Sequence, residues 1–125
     1  MNVPANLLFT KDHEWIKIEG SEALIGITDY AQTELGEIVY VELPAVGDTI
    51  LQENTFGTVE AVKAVSDLFM PVSGDVLAIN SLLEEKPELI NEDPYGEGWM
   101  IRIKLKNIAD VEGLLSAEAY TQLIQ

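Results

Sequence analysis

The chain has 125 residues, 47% of them apolar, and carries 22 acids against 7 bases for a net charge of −15. That length and apolar fraction suit one folded domain, residues 1–125, with a single core, and argue against a disordered chain. The negative charge argues against nucleic acid or an anionic membrane as partner, the lack of cysteine excludes disulfides and thiolate chemistry, and one histidine, His13, argues against a histidine-built metal site.

The chain opens on Met1-Asn2-Val3-Pro4-Ala5-Asn6, with neither the basic stretch of a secretory signal nor the arginines of a transit peptide. No apolar run reaches the length of a membrane span, so a cytoplasmic compartment is expected. Alternating apolar residues over 15–18 and 22–27, separated by Glu19-Gly20-Ser21, predict a hairpin. Residues 28–36 predict a short helix: Thr28 suits the N-cap, Asp29 the first turn, and Gly36 a left-handed stop. Residues 37–43 read as a strand ended by Pro44 and turned by Gly47-Asp48.

Further short strands are predicted over 49–51, 56–60, 67–72 and 76–80, with Pro71 confining its strand to an edge or a bulge. Residues 81–91 read as loop or helical turn, 99–105 as a strand, and 117–124 as a terminal helix capped by Ser116. Trp15, Trp99, Tyr40, Phe56 and Phe69 sit in strand patterns and are expected in the core. Many short strands punctuated by Gly, Pro and Asp turns predict a β sandwich or barrel. Residues 43–48 and 70–75 both read apolar-Pro-x-x-Gly-Asp, a hint of two similar halves.

Between them lies the most unusual residue. Lys63 is the only basic side chain from Ile18 to Glu85, a stretch holding thirteen acids. Its setting, Glu60-Ala61-Val62-Lys63-Ala64-Val65-Ser66-Asp67, predicts a tight hairpin with the lysine at its tip. An ordinary solubilising lysine is one reading, weakened by the shortage of other lysines nearby. A Schiff-base or general-base lysine needs a depressed pKa, and Glu60 and Asp67 would raise it. Covalent modification to an amide is the third reading, and it would take the net charge from −15 to −16.

Glu60-Ala61-Val62-Lys63-Ala64, with Gly57 before it and Gly74 eleven residues after the lysine, resembles the lipoylation site of the glycine cleavage system H proteins. The resemblance runs nearly the whole chain. It includes Thr10-Lys11-Asp12-His13-Glu14-Trp15, Gly26-Ile27-Thr28-Asp29-Tyr30-Ala31-Gln32 and Leu35-Gly36-Glu37-Ile38-Val39-Tyr40-Val41-Glu42-Leu43-Pro44, then Leu89-Ile90-Asn91 and Pro94-Tyr95-Gly96-Glu97-Gly98-Trp99. Biotinyl carriers share the hairpin but usually set methionines beside the lysine, where this chain has Val62 and Ala64. Ala61 departs from the family's usual serine. Tyr30 and Glu34 stand where the family often has histidine, so histidine gating of the arm is not implied here.

The resemblance implies a mostly β fold, an antiparallel barrel-sandwich hybrid of the lipoyl/biotinyl carrier type with short flanking helices. It implies a carrier rather than an enzyme, with lipoic acid attached as N6-lipoyl-lysine at Lys63. Its partners would be the pyridoxal-phosphate glycine decarboxylase (P protein), the tetrahydrofolate-dependent aminomethyltransferase (T protein), dihydrolipoamide dehydrogenase (L protein) and lipoyl-attaching enzymes, around a monomer. Glu60 would help those attaching enzymes choose their target, or be a plain solvated hairpin acid. The carried amine is a cation, which a desolvating groove accepts only if carboxylates or carbonyls hydrogen-bond it. Asp12, Glu14 and Asp67 are the candidates, the resemblance favouring Glu14 and Asp67. For residues 12–14 the plainer expectation is a turn entering the first strand, with His13 satisfied by backbone.

Three rival functions remain. A lipoyl relay would pass lipoyl groups to 2-oxoacid dehydrogenases from the same lysine. A small hydrolase built on His13 with Glu14 or Asp12 lacks a convincing nucleophile or metal. A protein-binding module would carry no cofactor at all.

Overall fold

A computed structural model describes residues 1–125. The chain opens with β1 (Leu8–Phe9), antiparallel to β2 (Glu14–Glu19), which turns at Gly20 into β3 (Glu22–Ile27). Thr28 then caps α1 (Asp29–Leu35), its hydroxyl accepting the Ala31 N–H at 3.1 Å, and Gly36 at φ +82 ends the helix. The predicted cap and stop are both present.

Next come β4 (Ile38–Glu42), β5 (Thr49–Ile50), β6 (Thr55–Ala61), β7 (Val65–Phe69) and β8 (Gly74–Ile79). Two short helices, α2 (Leu82–Glu85) and α3 (Leu89–Glu92), fill the stretch expected as loop or helical turn. Strand β9 (Ile101–Leu105), a 3-10 turn at Ile108–Gly113 and α4 (Ala117–Leu123) complete the chain, with Ser116 capping α4 as predicted. The 3-10 turn and β1 were not legible in the sequence pattern.

All pairings are antiparallel, in a six-stranded sheet β1-β2-β3-β9-β8-β5 and a three-stranded sheet β4-β6-β7. The barrel-sandwich expectation is met in its antiparallel, mostly β form, as two sheets facing a shared core. Ile16, Ile25, Ile101 and Ile103 enter that core from the larger sheet, and Val41, Val59 and Leu68 from the smaller. Burial of each such side chain stabilises the fold by about 2 kcal/mol. A smaller cluster of Leu7, Phe9, Trp15 and Tyr120 fastens α4 to the outside of the larger sheet. The residues that follow the first Pro-x-x-Gly-Asp stretch pair with the end of the second: Thr49 with Asp75 and Ile50 with Gly74.

Of the five aromatics expected in the core, Trp15 and Phe56 are buried there, while Phe69 and Trp99 are half-buried. Tyr40 is 54% exposed. The register shift between Ile38 and Tyr40 breaks the in–out alternation of β4 and turns the ring outward. Trp99 lies before β9 rather than in it, its N–H held by Gly96 O in a turn. Strand β7 ends at Phe69 instead of running to residue 72, since Met70 leaves β6 to bond Asn54 O, and Pro71 is buried beyond the strand.

Gly57 shows how tightly the Lys63-bearing sheet is built. A Cβ there would collide with the Glu42 carbonyl oxygen on β4, which is backbone and cannot swing aside. Gly57→Ala should therefore cost about 2 kcal/mol or more in urea unfolding. A loss below about 0.5 kcal/mol would contradict this packing.

Candidate functional site

Lys63 stands at the tip of the β6–β7 hairpin, as predicted. The Ala61 N–H donates to Ala64 O at 2.7 Å to close the turn, and the Val62 N–H donates to Glu37 O at 3.0 Å to tie the tip to the chain entering β4. Small and β-branched residues on both sides leave nothing that buries the lysine, and none of the four ion pairs involves it. Its stem lies across Gly36: a Cβ at that glycine would stand 3.3 Å from Lys63 Cε. Gly36 thus serves twice, as the positive-φ stop of α1 and as the bare backbone over which the lysine passes.

Helix α1 forms one wall of a cleft of about 180 Å³ next to that hairpin, and β7 forms the other. The turn entering β2 adds Asp12, His13 and Glu14 to its lining. Asp12 and Glu14, neighbours in the chain, thus line the same space as Asp67, which lies far along the sequence on β7. Glu34 from α1 adds a fourth carboxylate, and no lysine or arginine lines the space. Tyr30, also on the wall, has its phenol pKa raised by the Glu34 carboxylate one turn along. Strand β7 is an edge strand whose only partner is β6. With Ala61 bonded to Ala64, antiparallel alternation turns the backbone groups of Val65 and Asp67 away from β6.

Glu14 is 2% exposed and lies at the junction of the two sheets. One oxygen accepts the Phe69 N–H at 2.9 Å, capping the free edge of β7, and the other accepts the Thr10 hydroxyl at 2.9 Å. Each oxygen keeps a lone pair for another donor. Burial is the main cause that pushes the Glu14 pKa up to about 7, against the two hydrogen bonds that lower it. Thr10 was not proposed as a site residue from the sequence, although the Thr10–Glu14 spacing was a local signal, and Glu34 stood out only as a departure from the family pattern.

Glu60 lies outside this cleft. It pairs with Tyr40 on β4 and Val65 on β7, on the outer side of the small sheet where Tyr40, Val62 and Val65 are exposed. His13 corrects one expectation. It sits in the turn entering β2, at φ +66, but its ring bonds a side chain rather than backbone, with Nδ1 2.8 Å from the Tyr120 hydroxyl. That contact spans 107 residues, and no sequence signal could have found it.

The Glu14 pKa has a sign that can be tested. Raised in the folded state, it makes the neutral form the stabilised one, so its contribution is complete below pH 4.5 and fades as pH rises to about 7. The loss approaches about 3 kcal/mol. Glu14→Gln should remove this slope, so the stability difference between wild type and variant changes between pH 4.5 and 7. A difference independent of pH across that window would contradict the burial argument.

Comparison with known proteins gives the same picture as the geometry. The family model described as glycine cleavage H-protein matches residues 7–125. A glycine cleavage system H protein of Bacteroides thetaiotaomicron is 54% identical over 124 residues, covering 99% of this chain and 98% of its own. One from Halothermothrix orenii is 53% identical over 125 residues, covering 100% and 98%. The crystal structure of a glycine cleavage system H protein from Mycobacterium marinum superposes with a TM-score of 0.88 at 37% identity, covering 96% of this chain and 97% of that one. With the lysine hairpin, its two flanking sheets and the match over nearly its whole length, this chain belongs to the glycine cleavage H-protein family.

Proposed function

We propose that the chain is the lipoyl-bearing carrier of the glycine cleavage system, with lipoic acid bound as an amide through Lys63 Nζ. The observation that carries this is the pairing of an exposed, unpaired lysine tip with a neighbouring cleft that four carboxylates line and no lysine or arginine enters. The lipoyl group would supply the acceptor chemistry, taking an aminomethyl group from glycine decarboxylase, yielding it to aminomethyltransferase, and being reoxidised as a dithiol by dihydrolipoamide dehydrogenase. The residues of this chain bind and orient; in this reading they make and break no covalent bond, and the chain acts as a single cytoplasmic carrier domain rather than an enzyme.

From Lys63 to Asp67 the extended backbone covers roughly 13 Å, a span suited to a long acyl-lysine arm folding back along β7. An ammonium carried at the end of that arm would reach Asp67 first and then the buried Glu14, with Asp12 on the exposed turn beside it. Each carboxylate can accept a charge-assisted hydrogen bond, which offsets the desolvation of the cation. Placing the cation beside Glu14 would draw the proton off that carboxyl. Glu60, which does not line the cleft, is free to meet a lipoyl-attaching enzyme without disturbing it. The exposed Val62, Val65 and Tyr40 around it give such an enzyme apolar surface to grip.

Lys63→Arg keeps the charge but cannot form the amide. It should unfold within about 0.5 kcal/mol of wild type yet show no lipoyl-sized mass increment after exposure to a lipoyl-attaching enzyme. Wild type so loaded should support glycine decarboxylation and exchange with its cognate decarboxylase. Lipoylation without such turnover would favour the relay to 2-oxoacid dehydrogenases, and no increment on Lys63 would contradict the carrier reading.

A further inference from the structure

His13 is the one residue lining the acidic cleft that could bring a positive charge into it. The titratable groups around the ring are Asp12 and Glu14 beside it in the chain, Tyr30 and Glu34 from α1, Asp67 from β7 and Tyr120 from α4. Four carboxylates would by themselves favour a proton on the imidazole. Burial lowers its pKa overall, against the upward pull of Asp12 and Glu34.

The hydrogen bonds behind the ring point the same way. Thr28 Oγ1 accepts the Ala31 N–H at 3.1 Å and lies 2.7 Å from the Tyr120 hydroxyl, which in turn lies 2.8 Å from His13 Nδ1. Thr28 is fully buried and has no other acceptor for its own hydroxyl proton, so it donates to Tyr120. Tyr120 then donates to the remaining atom in line, His13 Nδ1. Burial chiefly pushes the phenol pKa up to about 12, so it stays a donor throughout the working range. With Nδ1 accepting, the ring proton sits on Nε2. A second proton on Nδ1 would face the phenol O–H and leave one of the two hydrogens without an acceptor.

We propose that Tyr120 and Thr28 are positioning residues that hold His13 as the neutral Nε2–H tautomer, so the cleft meets the arm's ammonium with carboxylates and no competing cation. The relay links the C-terminal helix, the N-cap of α1 and the His13 side of the cleft in one chain of donors. Its functional meaning rests on the loaded arm entering this cleft, as proposed above; its existence does not.

Because His13 is the only histidine, its ring nitrogens can be followed without ambiguity by 15N–1H NMR of the unmodified protein. The expected spectrum is the Nε2–H tautomer titrating below pH 6.5. Tyr120→Phe keeps the ring stacked on Phe9, whose centroid is 4.7 Å away at 8°, but removes the donor. In that variant the His13 titration should move up, and the lipoylated protein should lose its aminomethyl group faster at pH 6 than at pH 8 relative to wild type. Adding His13→Asn, which tolerates the positive φ and cannot be protonated, should abolish that pH dependence. An Nδ1–H tautomer in wild type, read without any substitution, would overturn the relay, as would an unmoved titration in Tyr120→Phe. The expected tautomer and shift with unaltered aminomethyl loss would uphold the relay and refute the placement of the arm in this cleft.

Discussion

The structure depends on a buried carboxylate that joins its two sheets. Glu14 begins β2 of the six-stranded sheet, yet one of its oxygens caps the Phe69 N–H at the end of β7, the free edge of the three-stranded sheet. Thr10 holds the other oxygen, and Glu14 N–H donates back to the Thr10 hydroxyl at 3.2 Å. Without this clamp an edge strand would end on an orphaned amide beside a cavity. The same clamp fixes β7, the strand that leads from Lys63 to the cleft. The cost is a carboxylate kept out of water, visible as a pKa near 7. A group so poised gains from any cation brought to it, which is what an arm ending in an amine would deliver.

Charge is distributed to match. Lys63 is held out at a hairpin tip with no ion-pair partner, while carboxylates gather within the cleft beside it. With its amine converted to an amide, as proposed, the lysine would no longer compete for those carboxylates, and the surrounding acids would offer a surface to basic partners. His13 could spoil this arrangement, and the phenol of Tyr120 stands where it can prevent that.

Local features were legible from the sequence because their causes are local. The Thr28 cap, the Gly36 stop, the Lys63 hairpin and the β2–β3 turn at Gly20 all follow from side-chain spacing and backbone freedom. The chemistry of a carried cation named Asp12, Glu14 and Asp67 as candidates and the family resemblance favoured Glu14 and Asp67; no spacing rule could group them, since the three lie on a turn, β2 and β7. What stayed hidden depends on register and long-range contact. The bulge that turns Tyr40 outward is invisible in an alternating pattern, and the Tyr120–His13 bond requires α4 to pack on β1. Glu34 read as a family departure and proved to be part of the cleft wall.

The central claim is that the arm on Lys63 returns its ammonium to Glu14 along β7. The direct measurement is NMR of lipoylated protein before and after loading with the aminomethyl group, following the Phe69 amide, the Glu14 carboxyl carbon and the amides at the hairpin tip. The account predicts that loading shifts Phe69 and ionises Glu14 at pH 6, below its resting pKa of about 7. Shifts confined to residues 62–64, with Glu14 still protonated, would contradict it.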